Sequence, residues 1–278
     1  MTTAVHENPA VSLSISLVCY KSDPQLLLAT LKSLRAALRY AEQQRALVTT
    51  LTVVDNGNDS ESLQRLITQS GLQPYCELIS NDHNAGFGKA NNQVIDNAAS
   101  DFHLVLNPDV ELDNAALQLA ISYLQQQPSI AAVSPACRNG DGATEYLCKR
   151  YPSLRMLFLR GFAPHWLQRR CADAMAHYEC RELAACTSAT AVELISGCFM
   201  LCRTAALQQA GGFDESYFLY FEDFALSIEL ARIGAIHYLP SCHIVHHGGK
   251  AANKGWPHIG YFLQSAWHFY CDYGWKLW

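Results

Sequence analysis

Polar and apolar positions alternate strictly near the start of the chain. Val11, Leu13, Ile15, Leu17 and Cys19 are interleaved with Ser12, Ser14 and Ser16, a period of two that predicts a strand. Asp23-Pro24 then offers an N-cap and a proline suited to a first helical turn. Leu27, Leu31, Leu34 and Leu38 follow at helical spacing and predict a helix to about Gln44. The β-branched run Val48–Val54 predicts a second strand, stopped by the turn-forming Asp55-Asn56-Gly57-Asn58-Asp59. The same reading gives helices at Glu61–Gln69, from Gly86 to Ala99 and at Asn114–Gln127. It gives strands at Glu77–Ser80, Phe102–Leu106 and Ile130–Ser134. Strands alternating with helices imply an α/β protein with a mainly parallel, doubly wound, Rossmann-like sheet.

The pattern changes after residue 135. Arg138–Ala191 is irregular, with helical pieces near 154–160 and 171–185. Val192–Cys202 predicts one continuous strand. Thr204–Ala210 and Glu222–Ile233 predict helices, and Ile236–Leu239 and His243–His246 short strands. Neither a repeat nor a linker divides the chain. It reads as one domain with a nucleotide-binding half over 11–135, an acceptor and catalytic half over 136–255 and an aromatic tail over 256–278.

Composition narrows the class. Half of the 278 residues are hydrophobic, 16% are charged and the net charge is −5. That supports a full core, and excludes a disordered chain and a protein that grips nucleic acid by its phosphates. The 11 cysteines form no Cys-x-x-Cys pair and read as buried small hydrophobes in a reducing cytosol. No apolar run is long enough to span a bilayer, and Met1–Ala10 lacks the basic start of a signal peptide. A cytoplasmic protein is expected, with association at a membrane surface left open. Trp256, Trp267, Trp275 and Trp278 crowd the tail, which either packs as a terminal helix or meets a lipid interface.

In open parallel sheets ligands bind beyond the carboxyl ends of strands. Cys19 and Tyr20, Asp55, and Asp109 should share that edge. Asp55 could accept a hydrogen bond from a base or ribose, and Asp109 could hold a divalent metal. Both also fit ordinary turns. Asn84-Ala85-Gly86-Phe87-Gly88-Lys89 opens a helix whose free N–H groups could face phosphate, or is simply a close-packed helix start. Glu222-Asp223 starts a helix inside the aromatic run Phe213–Phe221, where a carboxylate could act as general base. His243 and His246 lie three apart, so a strand would point them to opposite sides. Lys250 and the glycines before it could close over a diphosphate, or form a surface loop.

The ordered series is Val18-Cys19-Tyr20, Val54-Asp55-Asn56-Gly57, Asn84-Ala85-Gly86-Phe87-Gly88, Asn107-Pro108-Asp109, Ser196-Gly197-Cys198, Gly212-Phe213-Asp214-Glu215, Tyr220-Phe221-Glu222-Asp223 and His246-His247-Gly248-Gly249. From Ser12 onward it resembles the family 2 inverting glycosyltransferases of GT-A fold, and among them the bacterial rhamnosyltransferase-like branch. The resemblance implies that Cys19, Tyr20, Asp55 and Asn56 meet the nucleotide. It implies that Gly86, Gly88, Lys89 and Asn92 border its phosphates. Asn107 and Asp109 stand at the family's Asp-x-Asp motif. Asp109 and His246 would be ligands to Mg²⁺ or Mn²⁺, and Asp223 the catalytic base. Arg150, Gly197, Tyr220 and Glu222 would line the acceptor and sugar site. The implied donor is dTDP-L-rhamnose, and the implied acceptor a saccharide or polyprenyl-linked sugar of a cell-surface polysaccharide such as O-antigen. A UDP-sugar donor and a non-catalytic nucleotide-sugar-binding subunit are the alternatives. One departure is Ala225, where family members often carry a second acid.

Overall fold

The computed structural model describes residues 10–161, 163–248 and 256–277. Gly249 and Lys250, expected to close over a diphosphate, lie outside them, as do Trp278 and most of the N-terminal stretch Met1–Ala10.

The first half follows the predicted alternation. Its elements are β1 (Val11–Cys19), α1 (Pro24–Gln44), β2 (Leu47–Asp55), α2 (Ser60–Ser70), β3 (Cys76–Ser80), α3 (Phe87–Ile95), β4 (Phe102–Leu106), β5 (Val110–Leu112) and α4 (Ala116–Gln126). The second half comprises β6 (Ile130–Asn139), β7 (Thr144–Glu145), β8 (Cys148–Lys149), α5 (Leu154–Gly161), α6 (His165–Arg170), α7 (Ala172–Tyr178), β9 (Thr190–Ala191), β10 (Leu194–Ile195), β11 (Phe199–Arg203), α8 (Thr204–Gln209), α9 (Glu222–Ala231), β12 (Ala235–His246) and α10 (Trp256–Tyr273).

The main sheet runs β3-β2-β1-β4-β11-β6-β12-β5. Its β3-β2-β1-β4 block is parallel, and β11 enters antiparallel between β4 and β6. Strand order reverses at β1, which puts the ends of β1 and β4 beside a topological switch point. Asp23 caps α1 as predicted, its Oδ1 accepting from the Gln25 and Leu26 N–H groups at 2.8 and 3.1 Å.

Two departures are local. First, the predicted strand 192–202 is broken at Ser196-Gly197-Cys198 into β10, which pairs with β8, and β11 in the main sheet. Second, the two short strands near 236–246 are one strand, β12, with a register shift between Leu239 and His243. The serine face of β1 is turned inward. Ser14 and Ser16 are buried, and the ring of buried His103 sits between their hydroxyls at 2.7 and 3.0 Å. Burial pushes this imidazole down to about 3, so it is neutral and serves both serines. Ser16 also donates to Asn91 Oδ1 at 2.6 Å, carrying the polar ladder to the first turns of α3.

The start of α3 is welded to the loop that precedes α9. Asn92 Nδ2 donates to the Phe213 carbonyl at 2.7 Å, and Phe213 N–H donates to Asn92 Oδ1 at 2.9 Å. A Cβ on Gly88 would lie 2.8 Å from Phe213 Cβ, and one on Gly86 2.7 Å from the Phe218 carbonyl oxygen. Gly86 also has φ +88°, a left-handed value that favours glycine.

Helix α10 packs by one face only. Ala266, Phe269 and Tyr270 are buried against Tyr217, Phe221 and Ala225, whereas Ile259, Leu263 and Trp267 form an exposed stripe at i, i+4 and i+8. The terminal-helix reading of the tail holds for the first face.

The Asn92 clamp generates a prediction. Asn92→Ala leaves the buried N–H and C=O of Phe213 unpaired. Urea unfolding should then show a loss of about 2–5 kcal/mol; a change below 1 kcal/mol would reject the clamp as a stabilising element.

Candidate active site

Asp223 lies in the first turn of α9. The chain reaches it through Tyr220 and Phe221, both left-handed at φ 71° and 65°. Bulky residues are costly there, and persist only where surroundings fix them. Those surroundings come from α10. Tyr220 Oη lies 3.0 Å from His258 Nδ1, Ser265 Oγ donates to the Leu219 carbonyl at 2.8 Å, and Phe221 packs on Phe262 and Phe269.

The carboxylate is oriented by two backbone donors. Gly197 N–H donates to Oδ2 at 3.1 Å and Phe224 N–H to Oδ1 at 2.9 Å. Gly197 sits in the break between β10 and β11. A Cβ there would come 3.1 Å from the Phe87 ring and 3.5 Å from Asp223 Cβ, so a side chain at 197 would crowd Phe87. Ser227 Oγ accepts from Ile195 N–H at 3.1 Å and donates to the Asp223 carbonyl at 2.7 Å, tying the broken strand to α9. Burial raises the carboxyl above its ordinary range, against the pull of the two N–H groups and of the Lys149 ammonium. Glu222 is pushed higher still, by its own burial and by the charge of Asp223. Glu222 is 6% exposed, and its Oε2 has no hydrogen-bond partner among the described residues. Two adjacent buried carboxyls do not ionise together readily, so Glu222 holds the proton while Asp223 is the anion.

Lys149 and Glu145 are the residues that sequence reasoning missed. Lys149 ends β8 and donates to the Tyr146 carbonyl. Burial and nearby Arg160 push its ammonium down to about 8. Arg150 itself is turned elsewhere: its guanidinium reaches Glu182 Oε1 at 2.5 Å and the His177 carbonyl, holding the 177–182 segment. Its charge is paired with that of Glu182. Ala225, at the missing second acid, is 1% exposed within the aromatic cluster of α9 and α10, where a carboxylate would be buried without a partner.

A second centre forms where β5 meets β12 in antiparallel register, His246 opposite Val110. Asp109 Oδ1 lies 3.5 Å from His246 Nε2, and Glu145 holds His246 Nδ1 at 3.0 and 3.1 Å. His247 N–H donates to the Asp109 carbonyl at 2.9 Å, and its ring reaches Glu111 Oε1 at 2.6 Å. Burial alone would lower the His246 pKa, but the Asp109 and Glu145 carboxylates outweigh it and raise the imidazole to about 9. A Cβ on Gly248 would lie 2.6 Å from both Asp109 Oδ2 and His246 Nε2, so only a hydrogen faces the point where these ligand atoms converge. A carboxylate on Nδ1 with Nε2 turned to another acid is the arrangement that orients a metal-binding histidine. The donor set fits a divalent cation. Exposed Asp214 and Asp272, with half-buried His268, form a separate group within 4.8 Å of one another, already bridged by Ser216.

The two centres are joined through the strand break. Asn107 N–H donates to the Cys198 carbonyl at 2.9 Å, one residue from Gly197.

At the end of β2, buried Asp55 is heavily used. Oδ1 accepts from Gly57 N–H at 2.9 Å, and Oδ2 accepts from Asp59 N–H at 2.8 Å and Ser60 Oγ at 2.5 Å. Only Oδ1 keeps a lone pair for another donor. With Cys19, Lys21 and Gly57 it lines a hollow of about 20 Å³. The Cys19 thiol is neutral, pushed up to about 12 by burial, and Tyr20 is exposed. Asn56 is a hub: its amide bonds Asn84 Oδ1, the Gly86 carbonyl, Asn81 Nδ2 and Ala85 N–H. Gly88 and Asn92 face Phe213, and Lys89 pairs with Glu215 at 3.1 Å. A larger cavity of about 460 Å³ borders Glu145, Cys148 and Tyr238 in the second half, and neither Asp109 nor Asp223 lines it.

Residues 14–206 match Glycosyl transferase family 2. The chain belongs to that family. It is a glycosyltransferase, and rhamnosyltransferases are among its relatives. It is 27% identical over 238 residues to the N-acetylglucosaminyl-diphospho-decaprenol L-rhamnosyltransferase of Mycobacterium tuberculosis, covering 79% of this chain and 74% of that one. It is 28% identical over 176 residues to rhamnosyltransferase WbbL of Escherichia coli, covering 58% of this chain and 61% of the relative. Among solved structures, GalNAc-T7 with UDP, GalNAc and Mn²⁺ superposes with a TM-score of 0.63 at 12% identity, over 95% of this chain and 50% of that one. S. aureus TarS 1–349 with UDP gives 0.55 at 15% identity, over 87% of this chain and 62% of that one. The fold is GT-A.

The carboxyl pair yields a pH prediction. Both folded-state values are raised, so their contribution to stability is present in acid and is lost as pH rises through the folded values. Glu222→Gln keeps the neutral shape and removes that titration. Melting curves from acid to mildly alkaline pH should show the variant gaining on wild type as pH rises; parallel curves would reject the assignment of the proton to Glu222.

Proposed function

We propose that this glycosyltransferase moves L-rhamnose from dTDP-L-rhamnose, with inversion, to a saccharide acceptor carried on a polyprenyl diphosphate. The setting is assembly of a cell-surface polysaccharide such as O-antigen. The observation that carries the reading is the single carboxylate of Asp223. Gly197 and Phe224 hold it in place, and the 107–109 and 196–198 segments join it to the Asp109–His246 pair. The rhamnosyltransferase relatives support the donor and the kind of acceptor.

Asp223 accepts the proton of the acceptor hydroxyl as that oxygen attacks the anomeric carbon. The raised pKa makes the carboxylate a stronger base than an exposed aspartate. The backbone donors aim it without neutralising it. Protonated Glu222 leaves Asp223 as the single negative charge of the pair. One displacement needs no enzyme nucleophile, so inversion follows. Asp109 and His246 would hold Mg²⁺ or Mn²⁺, which supplies charge neutralisation for the departing nucleoside diphosphate. Glu145 fixes the imidazole for that role. Cys19, Tyr20, Asp55, Asn56 and Gly86 shape the nucleotide end, and Asn107 borders the metal end. Gly197, Tyr220, Glu222 and Lys149 shape the acceptor side.

Solved neighbours holding UDP favour a second reading, in which the donor is a UDP-sugar. Thermal shift with dTDP and UDP nucleotides, with and without Mg²⁺ or Mn²⁺, separates the two. Stabilisation by dTDP-L-rhamnose is expected, and a response to UDP alone overturns the donor assignment. Asp223→Asn should keep donor binding and lower transfer by about 10²–10⁴; full turnover would reject the base. Asp109→Ala should abolish the metal dependence of donor binding.

A further inference from the structure

Residues 150–171 contain arginines at 150, 155, 160, 169 and 170 and no acidic residue, in a chain whose net charge is −5. Helices α5 and α6 carry this stretch. Met156 and Leu159 are buried, and Leu154 and Leu157 pack on the aromatic cluster of α9 and α10. The opposite side shows Phe158 and Trp166, 55% and 66% exposed, beside exposed Arg155, Arg169 and Arg170. Arg169 and Arg170 make no ion pair among the described residues.

This surface is continuous with the C-terminal segment. Leu154 and Arg155 N–H groups donate to the carbonyls of Lys276 and Leu277 at 2.8 and 3.4 Å. Trp275 stacks on Tyr270 at 5.2 Å and meets Trp267 edge-on at 5.1 Å. Gln168 Nε2 ties α6 to the Leu159 and Ala163 carbonyls. Trp267, Trp275 and Leu277 are 66%, 49% and 59% exposed, and Lys276 is exposed between the last two.

We propose that this face docks the protein on an anionic lipid bilayer. Its indole and apolar side chains would enter the headgroup layer, and Arg155, Arg169, Arg170 and Lys276 would meet lipid phosphates. The observations favour a bilayer over a protein partner. Exposed Phe158 and Trp166 share helices α5 and α6 with exposed Arg155, Arg169 and Arg170, and 150–171 holds no acid, the composition of an interfacial anchor. No helix among the described residues is long and apolar enough to cross a membrane. The use of docking to the reaction rests on the lipid-linked acceptor proposed above; the docking itself does not.

The test is flotation of the full chain with phosphatidylcholine vesicles, with or without about one third phosphatidylglycerol. Wild type should float with the anionic vesicles and lose binding as salt rises. R169E/R170E should weaken partitioning about ten-fold or more. Trp166→Ser and Trp267→Ser should each weaken it several-fold, and Val48→Ser on β2 should not. Circular dichroism melts confirm folding, and R169E/R170E touches only exposed side chains. Absence of wild-type flotation, equal flotation of R169E/R170E, or equal binding to neutral vesicles overturns the proposal. Transfer to a water-soluble acceptor should be unchanged in R169E/R170E. Loss of transfer in every protein, wild type included, counts against the functional reading and leaves the flotation result intact.

Discussion

One hydrogen bond sets the terms for the second half of the chain: Gly197 N–H to Asp223 Oδ2. For that N–H to be available, the chain must leave the sheet between β10 and β11. For the carboxylate to reach it, α9 must start at the right point, behind two left-handed aromatic residues. With no side chain at position 197, the Phe87 ring and the Asp223 side chain pack directly on the backbone there. The strand break, the strained turn and the glycine are three parts of one arrangement.

Charge is distributed so that each acid has a separate task. Asp55 is consumed by a turn, Glu145 by an imidazole and Glu215 by Lys89. Glu222 is neutralised by burial. Asp223 at one centre and the Asp109–His246 pair at the other stay available, with one lone pair of Asp55 Oδ1. Lys149, partly discharged by burial and by Arg160, damps the rise in the Asp223 pKa without forming an ion pair that would abolish its basicity. The net charge of −5 says little about this.

Much of the fold was legible because strand and helix periods are strong in the first half. Regular Leu spacing gave α1, and β-branched runs gave the parallel block. The failures are local and physical. Three residues, Val110–Leu112, are too few to show a period. The break at 196–198 lies in an apolar run, and only tertiary pairing with β8 reveals it. In the site, Asp109, His246 and Asp223 stood out through family resemblance to an ordered motif series. A glycine-bearing helix entry reads alike whether a phosphate or another backbone approaches it, so the packing of Gly88 and Asn92 on Phe213 was not legible. Glu145 and Lys149 sit on two-residue strands in an irregular stretch, where neither spacing nor composition marks a buried charge.

Helix α10 has a role beyond covering the core. It grips Leu219, Tyr220 and Phe221 through Ser265, His258 and its phenyl rings. Those residues are a taut hinge whose next turn carries Asp223. The C-terminal helix is therefore a lever with its short arm at that carboxylate. A load applied along its outer stripe is transmitted to Asp223 over two residues of backbone with little slack, so mechanical coupling between the periphery and the buried carboxylate is inherent in the packing of α10.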